Sequence, residues 1–179
     1  MYLSDRGILK AMLRGSIVFG GELDIAQLQP ASIDLRLSNE FIFPNSGNRG
    51  VTYHDNLTLE PGEFILGCTS EKVAIGYDLV CRVEGKSSLG RNGILIHLTA
   101  GFVDTGYCYK EGVPSPGNIT LEIHNVSKNP FLLTKGMRIC QLSFAQLDSP
   151  PLRPYGTSGL KSHYNFQSGV VAPYTGSSE

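Results

Sequence analysis

The residues with the most chemistry to offer lie between positions 84 and 122. Glu84-Gly85-Lys86-Ser87-Ser88-Leu89-Gly90-Arg91 gathers two cations, two hydroxyls and two glycines into eight positions. Glycine lets the backbone approach a ligand closely, and Lys, Arg and Ser donate to phosphate oxygens. Such a stretch is either a phosphate-binding loop or a glycine-rich turn. Glu122 stands inside the apolar run Ile119-Thr120-Leu121-Glu122-Ile123. A carboxylate there is costly without a partner or a task, as a proton-transfer group would have. The plainer alternative is strand alternation, with Leu121 and Ile123 facing a core and Glu122 facing solvent. Between these stretches come Thr99-Ala100-Gly101 and then Asp104, which is either a ligand group or a turn former before Gly106.

Several chemistries are excluded by what is missing. Gly85-Lys86-Ser87 imitates the end of a Walker A motif, but the full pattern needs glycine at position 80, where Val80 stands. Zinc-dependent nucleobase deaminases need His-x-Glu and Pro-Cys-x-x-Cys, and neither occurs. His54, His97, His124 and His163 lie apart without metal-ligand spacing, so no zinc is expected. His97, inside an apolar run, reads as a satisfied core histidine. A net charge of −1 offers no bulk attraction for a nucleic-acid polymer, so any phosphate site must be local. Cys68, Cys81, Cys108 and Cys140 form no Cys-x-x-Cys and read as reduced, buried thiols of a cytoplasmic protein. No signal peptide or membrane span is evident, and no membrane partner is expected.

These groups must be positioned by short strands. Length and an apolar share of 41% fit one soluble domain with a sizeable core. Ser4 is placed to cap a helix running to about Arg14, with Ile8, Leu9, Met12 and Leu13 on one face and Gly15 as its stop. Ile33 to Leu37 alternates, which puts Asp34 and Arg36 together as a structural ion pair. Strand-like runs follow at 63–69, 79–84, 94–99, 118–125, 131–134 and 137–147, separated by Gly, Pro and Asn turns. The expected fold is mainly β, a sandwich or jelly roll with an N-terminal helix. Residues 1–148 form that domain and 149–179 a tail. Pro150, Pro151 and Pro154 break regular structure there, 156–159 should be flexible, and 176–179 read as a disordered end.

Glu84 to Arg91, Thr99-Ala100-Gly101 with Asp104, and Ile119 to Glu122 resemble the signature of the dCTP deaminase family, in the trimeric dUTPase-like superfamily. The likeness runs from Leu3-Ser4-Asp5 to Gln167. It implies a distorted jelly roll, a homotrimer, and zinc-independent hydrolysis of dCTP to dUTP and ammonia. It makes Glu122 the general base and then acid, oriented by Arg91. Ser87 donates to the water or the tetrahedral centre, and the backbone carbonyl of Ala100 positions the water. Nucleotide contacts fall to Lys86, Ser87, Ser88, Leu89, Gly90, Arg91, Asp104, Thr120, Leu121 and Glu122. Tyr155, Lys161, His163 and Gln167 join them from a tail segment, 155–167, that closes as a lid. Mg²⁺ arrives on the triphosphate, held mainly by phosphate oxygens. Thr99-Ala100-Gly101-Phe102 resembles the bifunctional branch, which also converts dUTP to dUMP and pyrophosphate. A plain dUTPase and a nucleotide-sensing protein are further alternatives, and dTTP is a candidate inhibitor.

Two departures from that family pattern stand out. Its tight Asp-Pro-Gly-Phe turn is here Asp104-Thr105-Gly106-Tyr107, followed by an insertion over 108–117. Two prolines and two glycines there predict a loop rather than a hairpin. In the tail, His163-Tyr164 stands where a Lys-Tyr pair is usual, with Lys161 two residues upstream.

Overall fold

The computed structural model describes residues 1–46, 50–97 and 99–176. Its frame is two antiparallel sheets. The larger has five strands in the order Phe102–Val103, Leu79–Gly85, Arg138–Gln146, Ser32–Arg36, Leu28–Gln29. The smaller has three, Ile94–Ile96, Thr120–Asn125 and Phe64–Cys68, with Thr120–Asn125 in the middle. The alternation that predicted these strands also fixes their faces. Leu79, Cys81 and Val83 are buried while Arg82 and Glu84 are exposed; Leu121, Ile123 and Asn125 are buried while Glu122 is not. Both inner faces feed one core, to which Ile33, Ile65, Leu121, Ile123, Leu142 and Phe144 each contribute a fully buried side chain. The mainly β expectation is met. No helix among the described residues is long and apolar enough to cross a membrane.

The N-terminal helix spans Asp5–Leu13, capped by Ser4, whose side chain accepts from the Gly7 N–H. The chain leaves it through Gly15 at φ 79°, a conformation glycine adopts without a Cβ penalty. Its buried face differs from expectation. Ile8 and Ala11 are buried, whereas Leu9 is 40% and Leu13 89% exposed. The helix meets the core through Ile8 and Ala11, with Met12 half-buried against it.

Three further expectations are corrected. Asp34 does not pair with Arg36. Asp34 is buried and bound by Lys86 Nζ at 2.5 Å and Arg138 Nη1 at 3.2 Å, both from neighbouring strand ends. Arg36 turns instead to Asp24 at 3.4 Å and Glu71 at 3.8 Å. The run after Ile94 pairs only to Ile96; His97 then takes φ 54°, which ends the strand, and Leu98 lies outside the described residues. The insertion contains a hairpin, Tyr109–Lys110 against Val113–Pro114. Its two-residue turn has φ 51° at Glu111 and φ 83° at Gly112, and two positive φ values match the right-handed twist of paired strands. Pro114 is tolerated because this ribbon has only two strands, each an edge.

Residues 156–159 form hydrogen-bonded turns, with Thr157 N–H donating to Pro154 O at 3.0 Å and Leu160 N–H to Thr157 O at 3.1 Å. The pairs Ile17–Phe19 with Val73–Ile75, and Asn56–Leu59 with Phe131–Thr134, went unread because all but the last are too short or too polar to show a period.

Candidate active site

A cavity of about 550 Å³ opens on the outer face of the three-stranded sheet. Its floor comes from alternate residues of two paired strands: Thr120 and Glu122, with Leu66 directly across from Glu122. The alternation that buries Leu121 and Ile123 thus aims Glu122 into the cavity. One wall is the loop carrying His97, Thr99 and Ala100, followed by Phe102, Val103 and Asp104. Tyr107 closes one side and the tail roofs it with Tyr155, Tyr164, Gln167, Val171 and Pro173.

Glu122 is half-buried, and Thr99 donates its hydroxyl to Glu122 Oε2 at 3.3 Å. The loop beside it is held from both ends. The backbone N–H of His97 donates to Glu122 O at 2.8 Å. The Val83 N–H donates to Gly101 O at 2.7 Å, and a Cβ at Gly101 would lie 2.7 Å from Val83 O, so only glycine lets the loop sit this close to the sheet. His97 Nε2 donates to Ala100 O at 2.8 Å, while its buried Nδ1 has no hydrogen-bond partner. Burial holds the His97 imidazole below its ordinary pKa, opposed by the Glu122 charge and the Ala100 carbonyl. His97 is therefore a cavity residue with an unsatisfied nitrogen, not a satisfied core histidine. A carboxylate beside a fixed carbonyl and a hydroxyl, on a partly dry floor, can hold a water molecule and move its protons.

The cavity brings together Ala100, Asp104, Thr120, Glu122, Tyr155 and Gln167 of the expected residues. It does not include Leu121, whose side chain is fully buried in the core. Ser87, Ser88, Leu89 and Gly90 form one short helical turn, followed by Arg91, and none of these lines the cavity. Leu89 is buried beneath that turn, while Ser87, Ser88, Gly90 and Arg91 are exposed. Lys86 is committed to the buried carboxylate of Asp34. Arg91 makes no ion pair with Glu84, which pairs with Arg82 at 3.4 Å. Lys161 and His163 are exposed and off the cavity wall; His163 stacks on Tyr174 with ring centroids 3.9 Å apart.

Sequence reasoning missed Thr99, Phe102, Tyr107 and Tyr164 as cavity residues, and misread His97. The signal for His97 was local: histidine is enriched among the few non-glycine residues that take positive φ, and His97 does so at 54°. Tyr107 gave none, because its ring is placed by tertiary contacts, a bond from its hydroxyl to Asn118 O at 2.8 Å and the neighbouring ring of Tyr155. Among the described residues, no group of three or more His, Cys, Asp or Glu is arranged to hold a metal ion. The two cavity carboxylates, Glu122 on the floor and Asp104 on the wall, suit a cation that brings its own phosphate ligands.

The fold is that of solved dCTP deaminases and dUTPases. The crystal structure of 2′-deoxycytidine 5′-triphosphate deaminase from Agrobacterium tumefaciens superposes with a TM-score of 0.63 at 23% identity, over 82% of this chain and 48% of that chain. The EIAV dUTPase superposes with a TM-score of 0.52 at 20% identity, over 79% and 98%. The chain belongs to the dCTP deaminase-like family, whose profile matches residues 2–147. A Haloarcula marismortui protein named dCTP deaminase is 43% identical over 192 residues, covering 96% of this chain and 93% of that one. A Bifidobacterium longum protein named dCTP deaminase, dUMP-forming, is 44% identical over 187 residues, covering 94% and 91%.

Proposed function

We propose that the protein deaminates dCTP by hydrolysis, releasing dUTP and ammonia. The observation that carries this reading is Glu122, aimed by its strand into the cavity beside the Thr99 hydroxyl and the fixed Ala100 carbonyl. Glu122 takes a proton from water as the water oxygen bonds to C4 of cytosine. That proton passes to the N4 amino group, the C4–N4 bond breaks, and ammonia leaves. The second proton of the water ends on N3, giving uracil. Ala100 O orients the attacking water through the lone pair that His97 leaves free. Asp104, exposed on the cavity wall, faces the sugar and the metal-bearing phosphates. Mg²⁺ would neutralise phosphate charge, and Asp104 is the described side chain that suits it best. The missing zinc motifs, together with four buried cysteines, support a zinc-independent reaction in a reducing, cytoplasmic setting.

Ser87, Ser88 and Arg91 are exposed on their turn, away from the cavity of their own chain. We propose a homotrimer in which this turn of one copy reaches the cavity of the next. Arg91 then orients Glu122, Ser87 donates to the tetrahedral centre, and Ser88 with the backbone from Leu89 to Gly90 meets phosphate. Tyr155 and Gln167 close over the nucleotide, with Lys161 and His163 nearer the phosphates. dTTP, with the same sugar and triphosphate, is the expected competitive inhibitor.

A second reading, in which dUTP is carried on to dUMP and pyrophosphate, draws on the Thr99-Ala100-Gly101-Phe102 loop and on relatives named dUMP-forming, such as that of Dictyoglomus thermophilum at 41% identity. Incubation with dCTP and Mg²⁺, followed by separation of nucleotides and ammonia, tests both. Ammonia with dUTP supports deamination alone, and ammonia with dUMP supports the bifunctional reading. No ammonia, with or without conversion of added dUTP to dUMP, would sink the deaminase. EDTA should stop turnover, and Mg²⁺ without zinc should restore it.

A further inference from the structure

We infer that Val170, flanked by Gly169 and Val171, is the positioning anchor that holds Tyr164 and Gln167 over the cavity. This rests on the cavity being the nucleotide site. Val170 is the most buried apolar residue of the tail, 5% exposed, and packs with Ile42, Leu66, Cys68 and Phe64 in a small cluster separate from the main core. Leu66 and Phe64 also line the cavity, so the plug sits against its floor.

Three successive backbone donors are caught beside that plug. Gly169 N–H donates to Asn118 Oδ1 at 2.8 Å, Val170 N–H to Glu40 Oε2 at 3.1 Å, and Val171 N–H to Thr120 Oγ1 at 3.0 Å. The last bond has a consequence. Having accepted from Val171, the Thr120 hydroxyl donates to Gln167 Oε1 at 2.7 Å. Gln167 Nε2 then donates to Tyr164 O at 2.9 Å. The Tyr164 N–H in turn donates to Tyr155 Oη at 3.1 Å. The orientation of the Gln167 amide and the seat of both tyrosines thus trace back to the clip. Gly169 has φ 72°, and a Cβ there would crowd the Glu40 carboxylate, so a larger residue strains the turn and pushes Glu40 away from the Val170 N–H.

An anchor of this kind sets the fraction of chains whose roof is in place before nucleotide binds. Apparent affinity falls in proportion when that fraction falls, while turnover at saturation does not. The test compares the full-length chain with Val170→Asp, Val170→Ile and Gly169→Ala by hydrogen exchange without nucleotide, and by steady-state kinetics on dCTP with Mg²⁺. In Val170→Asp and Gly169→Ala, amides of 155–167 should lose protection while the Thr120–Asn125 strand keeps it. KM should rise about tenfold or more with kcat within about threefold. Val170→Ile should behave as the parent. Folded Val170→Asp with 155–167 as protected as in the parent would overturn the anchor. If Val170→Asp unfolds its strands, Gly169→Ala decides by the same criterion, because it adds no charge to the apolar cluster. A parent chain that releases no ammonia would remove the deaminase reading, and the exchange data would still judge the anchor.

Discussion

Glu122 and His97 meet at the cavity, one from a strand and the other from the loop that leaves its neighbour, and each carries a distinct expectation. Glu122→Gln keeps size and one acceptor oxygen but cannot accept and return a proton at neutral pH. Deamination should fall by about 10²–10⁴-fold with nucleotide affinity largely kept, as read by single-turnover kinetics and calorimetry. Arg91→Ala should weaken affinity and turnover together, since on the proposed assembly it removes a cation as well as the group that orients Glu122. Near-normal turnover in Glu122→Gln would make Glu122 a plain strand residue. His97 gives a pH signature. Its folded pKa lies below the ordinary value of 6.5, so between the two the unfolded chain binds more protons. The contribution of His97 is present above about pH 6.5 and is lost as pH falls below it. Urea unfolding between pH 7.5 and 5.5 should show a steeper loss for the parent than for His97→Gln. Parallel profiles would mean that His97 is not shielded.

The Tyr109–Lys110 and Val113–Pro114 hairpin is tied to the body of the protein by polar contacts where it begins. Tyr109 Oη donates to Gly15 O, just beyond the N-terminal helix, and the Cys108 N–H donates to Asn165 Oδ1 at 2.7 Å. Tyr109→Phe should therefore destabilise by about 1 kcal/mol, the net worth of one such hydrogen bond, measured by urea unfolding. An unchanged midpoint would mark the hairpin as an ornament of the surface. This element also marks where sequence reading stopped. The long alternating strands were legible, because burial on one face imposes a period of two. The Glu122 side of the cavity was legible for the same reason. The hairpin was not, since Glu111-Gly112 makes its turn through positive φ rather than a recognised dipeptide, and prolines argued against pairing. The partners of Asp34 were hidden as well, because Lys86 and Arg138 reach it across sheet neighbours 52 and 104 positions away. Gly169-Val170-Val171 carried a faint signal, two apolar residues in a polar tail, whose meaning depends on a pocket built elsewhere.

At the scale of the molecule, one chain holds half of the proposed machinery. Glu122, Ala100 and the tail surround the cavity, while Ser87, Ser88 and Arg91 are displayed on an exposed turn with no ion pair to Arg91 among the described residues. The expected assembly is a trimer, and light scattering at working concentration should return three chain masses. A monomer that still deaminates dCTP would show that the turn is not needed from a neighbour. Mixing inactive Glu122→Gln chains with inactive Arg91→Ala chains should restore part of the activity, because some cavities in mixed trimers draw an intact group from each parent.

The four cysteines have a use beyond packing. All are free and buried; burial pushes the Cys68 thiol up to about 12 and raises Cys81, Cys108 and Cys140 as well. Alkylating reagents attack the thiolate, so the folded chain should be silent to them at neutral pH. That silence turns the protein into its own reporter. Cys68 lies under the Val170 plug and Cys108 under the tail at Asn165, whereas Cys81 and Cys140 are buried in the core from the paired central strands of the large sheet. Brief labelling with mass spectrometry should therefore colour Cys68 and Cys108 whenever the roof peels back, and Cys81 and Cys140 only when the whole chain opens. A dye attached through Ser158→Cys would need none of the native thiols removed.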